Sequence, residues 1–235
     1  MTDMDPVGGS HAAISDDYTE GIVGSIAAEA VRRAVVVAWM AVLLGLLVQL
    51  LMLALNLGLG TGWPGVAVLG DVAQGVSWAV LVCIGLAVGT VAGRDRALVM
   101  GLLGLVSGPV AWGIAKGAQR TVQSAMDLAP AGIDLFFYLV CAIKGIEYAA
   151  LGAVLGYLSQ HEVTRIRSYF LLGVAVGVLA AGAMTGLNLW RAAQLGTAVT
   201  PARLIGTAVN EFVFPIGCAL VICMALRMKR LVGLR

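Results

Sequence analysis

Of the 235 residues, 60% are hydrophobic and only 12% charged, and mean hydropathy is +0.95; soluble domains average about 45–50% apolar and about 25% charged. Such a chain is an integral membrane protein whose first partner is the lipid bilayer. A formal charge of +2, from 15 basic and 13 acidic residues, gives no basis for nucleic acid binding, and an aromatic content of 6% offers no stacking platform for bases.

The first 31 residues carry Asp3, Asp5, Asp16, Asp17, Glu20 and Glu29 and no Lys or Arg, the reverse of a secretory signal, which starts basic. Residues 1–18 therefore read as a flexible acidic tail. Over 19–33, Ile22, Ile26 and Ala30 fall at four-residue spacing, with Ser15 or Thr19 available as a cap and Arg32 and Arg33 at headgroup level. This pattern predicts an interfacial helix.

Apolar runs long enough to cross a hydrocarbon core, which takes roughly 20 helical residues, follow at 34–58, 74–93, 97–115, 135–158, 169–190 and 205–226. Residues 34–230 thus form an all-α polytopic membrane domain of six transmembrane helices. None of the runs alternates polar with apolar residues, so barrel strands are excluded. Basic residues at the span ends set the orientation. Arg32, Arg33, Arg94, Arg96, Arg165, Arg167, Arg227, Lys229, Arg230 and Arg235 fall on one side, and Lys116, Arg120, Arg191 and Arg203 on the other. That asymmetry places both termini in the cytoplasm of, on this reading, a bacterial inner membrane.

Glycines repeat along the spans. Laying Gly85 and Gly89 of span two on Gly152 and Gly156 of span four gives an offset of 67 residues. Gly104, Gly108, Gly113 and Gly117 of span three then match Gly173, Gly177, Gly182 and Gly186 of span five at an offset of 69, with the same spacings of four, five and four. The expectation is a parallel internal repeat of a two-helix hairpin, units 74–117 and 135–190, related by an axis near the membrane normal. All twelve glycines are expected to pack helices closely, as small residues do within lipid.

Enzyme signatures are missing. The two histidines, His11 and His161, lie outside the spans, so no span offers a haem ligand, a metal triad or a Ser-His dyad. Glycine runs inside apolar helices are not nucleotide loops, and no phosphate-binding GxxxxGK[ST] occurs. The reading is of a non-enzyme without cofactor or metal. Cys83, Cys141, Cys218 and Cys223 lie within spans, form no CxxC, and read as small reduced apolar side chains.

The chemistry is carried by the ionisable residues inside spans. Lys144 and Glu147, three apart, share one face of span four, and Glu211 lies in span six between Asn210 and Pro215. A charge at bilayer depth costs at least about 2.5–3.5 kcal/mol on insertion scales, so each must face protein or water and have a partner. Sharing one ammonium between two carboxylates is the cheapest arrangement, which predicts that Lys144, Glu147 and Glu211 meet and that spans four and six are neighbours. Gln49, Asn56, Ser107, Thr185 and Asn188, among the few other polar residues in the spans, are assigned to interhelical hydrogen bonds and water contacts. The functional reading is a small channel or carrier for an ion, proton or small weakly polar molecule, with Lys144, Glu147, Asn210 and Glu211 as its transport or ion-binding residues. The alternative is a non-catalytic scaffold or subunit of a larger membrane complex, its partners further copies of itself or other membrane subunits.

Overall fold

The computed structural model describes residues 10–90, 95–129 and 132–231. Among them are six α-helices: α1 (Ser10–Gly58), α2 (Ala67–Gly89), α3 (Arg96–Ala125), α4 (Leu135–Gln160), α5 (Ile166–Leu195) and α6 (Pro201–Leu231). Each is long and apolar enough to cross a membrane, so the chain is an all-helical integral membrane protein. Residues 1–9 of the acidic tail, residues 91–93 at the end of the second expected span, Arg94 and Arg235 lie outside the described residues.

The element bounds differ from the sequence expectation in ways that matter. In place of a tail followed by a separate interfacial helix over 19–33, α1 is one helix from Ser10 through the first span. Residues 25–34 contain no proline or glycine to end one helix before the next begins, and propagating a helix costs far less than starting one. Helix α2 begins at Ala67, seven residues before the apolar run, and α3 continues past it to Ala125. These extensions carry Asp71, Lys116, Gln119 and Arg120, side chains that hydropathy alone assigns to loops and headgroups.

Local chemistry marks the ends. Asp134 caps α4, its carboxylate accepting from the backbone N–H of Phe137 at 3.1 Å. Gly196 ends α5 in the left-handed conformation, φ 61°, which glycine adopts without a Cβ penalty. Asp127 and Glu162 turn the chain at φ 56° and 53° after α3 and α4.

The bundle has an inner and an outer layer. In the most apolar stretches of α2, α4 and α6, 44%, 50% and 44% of residues are buried, against 22% in each of α1, α3 and α5. The even-numbered helices therefore form the centre and the odd-numbered ones present their large apolar side chains, such as Trp39, Leu47, Val106 and Leu179, outward, where a bilayer would meet them. The most extensive packing is between α3 and α4, followed by α5 with α6 and α2 with α3, while α4 touches α5 only lightly.

Glycines make the tightest of these seams. A Cβ on Gly104 would strike the carbonyl of Tyr148, one on Gly108 the carbonyl of Lys144, and one on Gly152 or Gly156 the backbone of Met100 or Arg96. Across the bundle, Gly173 and Gly177 lie against Ile216 and Phe212 of α6 in the same way, and Gly85 and Gly89 meet Ser107 and Met100 of α3. Two expectations are corrected here. At Gly113, Gly117, Gly182 and Gly186 no neighbouring atom comes within 4 Å of the point a Cβ would occupy. These four pack nothing, because the five-residue step from Gly108 to Gly113 and from Gly177 to Gly182 turns them to the opposite face of the helix, while buried Ala111, Ala115, Ala180 and Met184 continue the packed one. The hairpins α2–α3 and α4–α5 are also not packed alike, since Gly152 and Gly156 turn to α3 and not forward to α5.

Candidate functional site

Three inner helices meet at one buried cluster. Lys144, Glu147 and Glu211 are only 2%, 7% and 5% exposed. Lys144 Nζ donates to Glu147 Oε2 at 2.8 Å, the three-residue spacing on α4 putting both on one face. It also donates to Glu211 Oε2 of α6. Helix α2 supplies the third wall with Trp78, whose ring centre lies 5.2 Å from the ammonium, and Tyr148 of α4 lies at 5.8 Å, so two aromatic rings attract a cation already held by two carboxylates. Trp78 is itself set edge-to-face against Tyr148 and Trp112, at 5.2 and 6.0 Å between centroids.

Two prolines shape the backbone around this cluster. Pro109 has no N–H to offer Leu105, four residues earlier in α3, and Gly145 approaches at that point, its Cβ position 3.2 Å from the Leu105 carbonyl. Pro215 deprives Glu211 of the same helical partner. The residue that brings its carboxylate to Lys144 therefore also has a backbone carbonyl without its helical donor. Within the cluster the valences are not all used: Glu147 Oε1 and the Tyr148 hydroxyl have no hydrogen-bond partner among the described residues.

A polar cavity of about 430 Å³ leads to this cluster from the face carrying the α3–α4 and α5–α6 connections. Its floor includes Asn210 and Glu211, and its walls draw on all six helices, among them Gln49 and Asn56 of α1, Gln74 of α2 and Asn188 of α5. Beneath it a smaller pocket of about 30 Å³ touches Lys144, Asn210 and Glu211 together with Gln49, Gln74 and Trp112. Glu147 borders neither space, so the cavity reaches the Lys144–Glu211 side of the cluster. On the opposite side of the cluster the core is closed by fully buried Leu86, Leu151, Leu155, Met100, Cys218 and Ile222.

The four residues expected to carry chemistry are thus brought together: Lys144 bonds both carboxylates, and Asn210 shares a wall with Glu211. The sequence reading missed the cavity wall. Lys116 hydrogen-bonds Gln74 Oε1 at 3.0 Å and Gln119 Oε1 at 2.8 Å while lying 4.8 Å from the Trp112 ring centre, and Gln119 passes the chain on to Asp71 at 2.7 Å. Arg191 pairs with Asp134 at 2.6 Å. Counted only as orientation charges, Lys116, Arg120, Arg191 and Arg203 instead line the cavity. One signal was available: Trp112, Lys116, Gln119 and Gln123 recur at helical spacing, a polar stripe that continues the third span. The four cysteines are free, as the sequence reading has them, and within the core Cys83 of α2 and Cys218 of α6, 135 positions apart, bring their sulfurs to 3.4 Å.

No protein-family profile, no curated protein and no solved structure matches this chain.

Proposed function

We propose that the protein is a non-enzymatic membrane carrier for a small ion or polar solute, with Lys144, Glu147, Asn210 and Glu211 as its transport residues. The observation that supports this reading is the cavity: a polar space on the connection face reaches Asn210 and Glu211, a smaller pocket sharing those residues touches Lys144, and among the described residues fully buried apolar side chains lie beyond the cluster. An intramembrane ionisable cluster at the end of a polar path is the arrangement expected of a solute pathway. Closure on the far side favours a carrier, which must rearrange to release its solute, over an open pore. With both termini in the cytoplasm of an inner membrane, as the basic residues direct, the cavity opens outward.

A duplicated scaffold belongs to the same proposal, with its unit re-phased to α3–α4 and α5–α6. Gly104 and Gly108 seat α4, Gly113 and Gly117 seat nothing; Gly173 and Gly177 seat α6, Gly182 and Gly186 seat nothing. The same register is divided at the same point in both copies.

Proteoliposome flux tests the function. Wild type should move protons or at least one small monovalent ion faster than protein-free vesicles. Glu211→Gln should lower that flux at least about tenfold, a loss equivalent to about 1.4 kcal/mol of barrier, while leaving a folded protein. Wild-type flux no greater than that of empty vesicles, across protons, small cations and small anions, would transfer the assignment to the scaffold reading.

A further inference from the structure

We propose that the solute is a small anion, bound in the cavity by Lys116, Arg120 and Arg203. The inference deepens the carrier reading and rests on it for the direction of travel, though not for binding. It follows from a count of which charges in the wall already have partners. Four cations line the cavity, Lys116, Arg120, Arg191 and Arg203, against the carboxylates of Asp71, Asp134 and Glu211.

Two of the carboxylates are committed: Asp134 to Arg191 at 2.6 Å, and Glu211 to Lys144. Asp71 accepts from the Gln119 amide and is exposed at the mouth. The remaining cations have no carboxylate in ion-pair contact among the described residues. Lys116 spends two of its three donors on the neutral oxygens of Gln74 and Gln119. Arg120 gives one of five donors to the Gly132 carbonyl at 3.1 Å. The Arg203 guanidinium has no hydrogen-bond or ion-pair partner among the described residues.

A further donor points the same way. Trp112 Nε1, buried, has no acceptor among the described residues, and its side chain lines both the cavity and the pocket beneath it. Surplus N–H donors and an excess of cations over carboxylates, four against three in the wall, concentrate anions in such a cleft, because field lines are focused where water is scarce. At about 430 Å³ the cavity has room for a carboxylate- or phosphate-sized solute with its first waters. Such a solute leaves the Lys144–Glu147 bond intact on arrival, since Glu147 borders neither space.

Trp112 also provides the test. In the full chain in nanodiscs, tryptophan fluorescence is quenched with iodide and, separately, with caesium, and the Trp112 contribution is taken as the difference between wild type and Trp112→Phe. Iodide should quench that contribution at least about threefold more strongly than caesium, the size expected when an excess of about one positive charge within a Debye length sets local ion concentrations. The preference should fall towards parity in Lys116→Gln and in Arg203→Gln; Arg203 is exposed at the rim, so its replacement serves if Lys116→Gln fails to fold. Caesium quenching equal to or above iodide, no quenching by either ion, or an iodide preference unchanged by Arg203→Gln would overturn the proposal. An iodide preference without flux in vesicles would sink the carrier reading and leave anion binding standing, whereas cation flux with a caesium preference would do the reverse.

Discussion

Lys144 shows what a single residue settles in this fold. Its ammonium is nearly inaccessible and holds two carboxylates from different helices, so removing it strands both. Lys144→Met should destabilise the protein by about 3–5 kcal/mol, the usual cost of leaving a buried charge without its partner. For a chain of this size that is a fall of roughly 10 °C in the melting temperature of the detergent-solubilised protein. Combining it with Glu147→Gln and Glu211→Gln should restore most of the loss, because no uncompensated charge then remains inside. A triple variant as unstable as Lys144→Met alone would show that packing, and not charge, is what the lysine supplies. The cluster was legible in the sequence because charge burial leaves few options: a three-residue spacing pairs Lys144 with Glu147, and the remaining carboxylate must share the ammonium. Trp78 and Tyr148 were not legible as its walls, since an aromatic residue in an apolar span carries no mark of the cation it will face.

Among the helices, the glycine register was legible and its meaning only half so. Spacings of four put Gly104 with Gly108 and Gly173 with Gly177 on one face, but the five-residue step that follows carries the second pair of each set to the opposite face, so the four do not form one ridge. The structure divides the register, and the two halves should respond oppositely to substitution. Gly104→Val, placing atoms on the Tyr148 carbonyl, should lower stability by about 1–3 kcal/mol or prevent α3 from seating on α4. Gly113→Ala, with open space around it, should be neutral or slightly stabilising, as alanine is the better helix former. Thermal unfolding of the two variants beside wild type checks this, and equal destabilisation would contradict the division. The extensions of α2 and α3 escaped the hydropathy reading for a related reason. Polar side chains such as Gln74, Lys116 and Gln119 need water or each other, and hydropathy counts them as if every face of a helix met lipid, whereas here they turn inward to a shared cavity.

At the scale of the whole molecule, α2, α4 and α6 form a centre shielded by α1, α3 and α5, with a polar space on the connection face and a dry apolar core beneath. That asymmetry separates the two readings, because a scaffold has no use for water at Glu211 and a carrier has no function without it. The most direct measurement is thiol labelling of Asn210→Cys in sealed vesicles with a membrane-impermeant sulfonate reagent, applied to either face, with Leu128→Cys marking the connection face and Leu155→Cys the closed core. Residue 210 should be modified from the same face as residue 128 and from that face alone, while residue 155 stays unmodified until the protein is denatured. Protection of residue 210 from both faces in folded protein, with modification only after denaturation, would contradict the carrier reading.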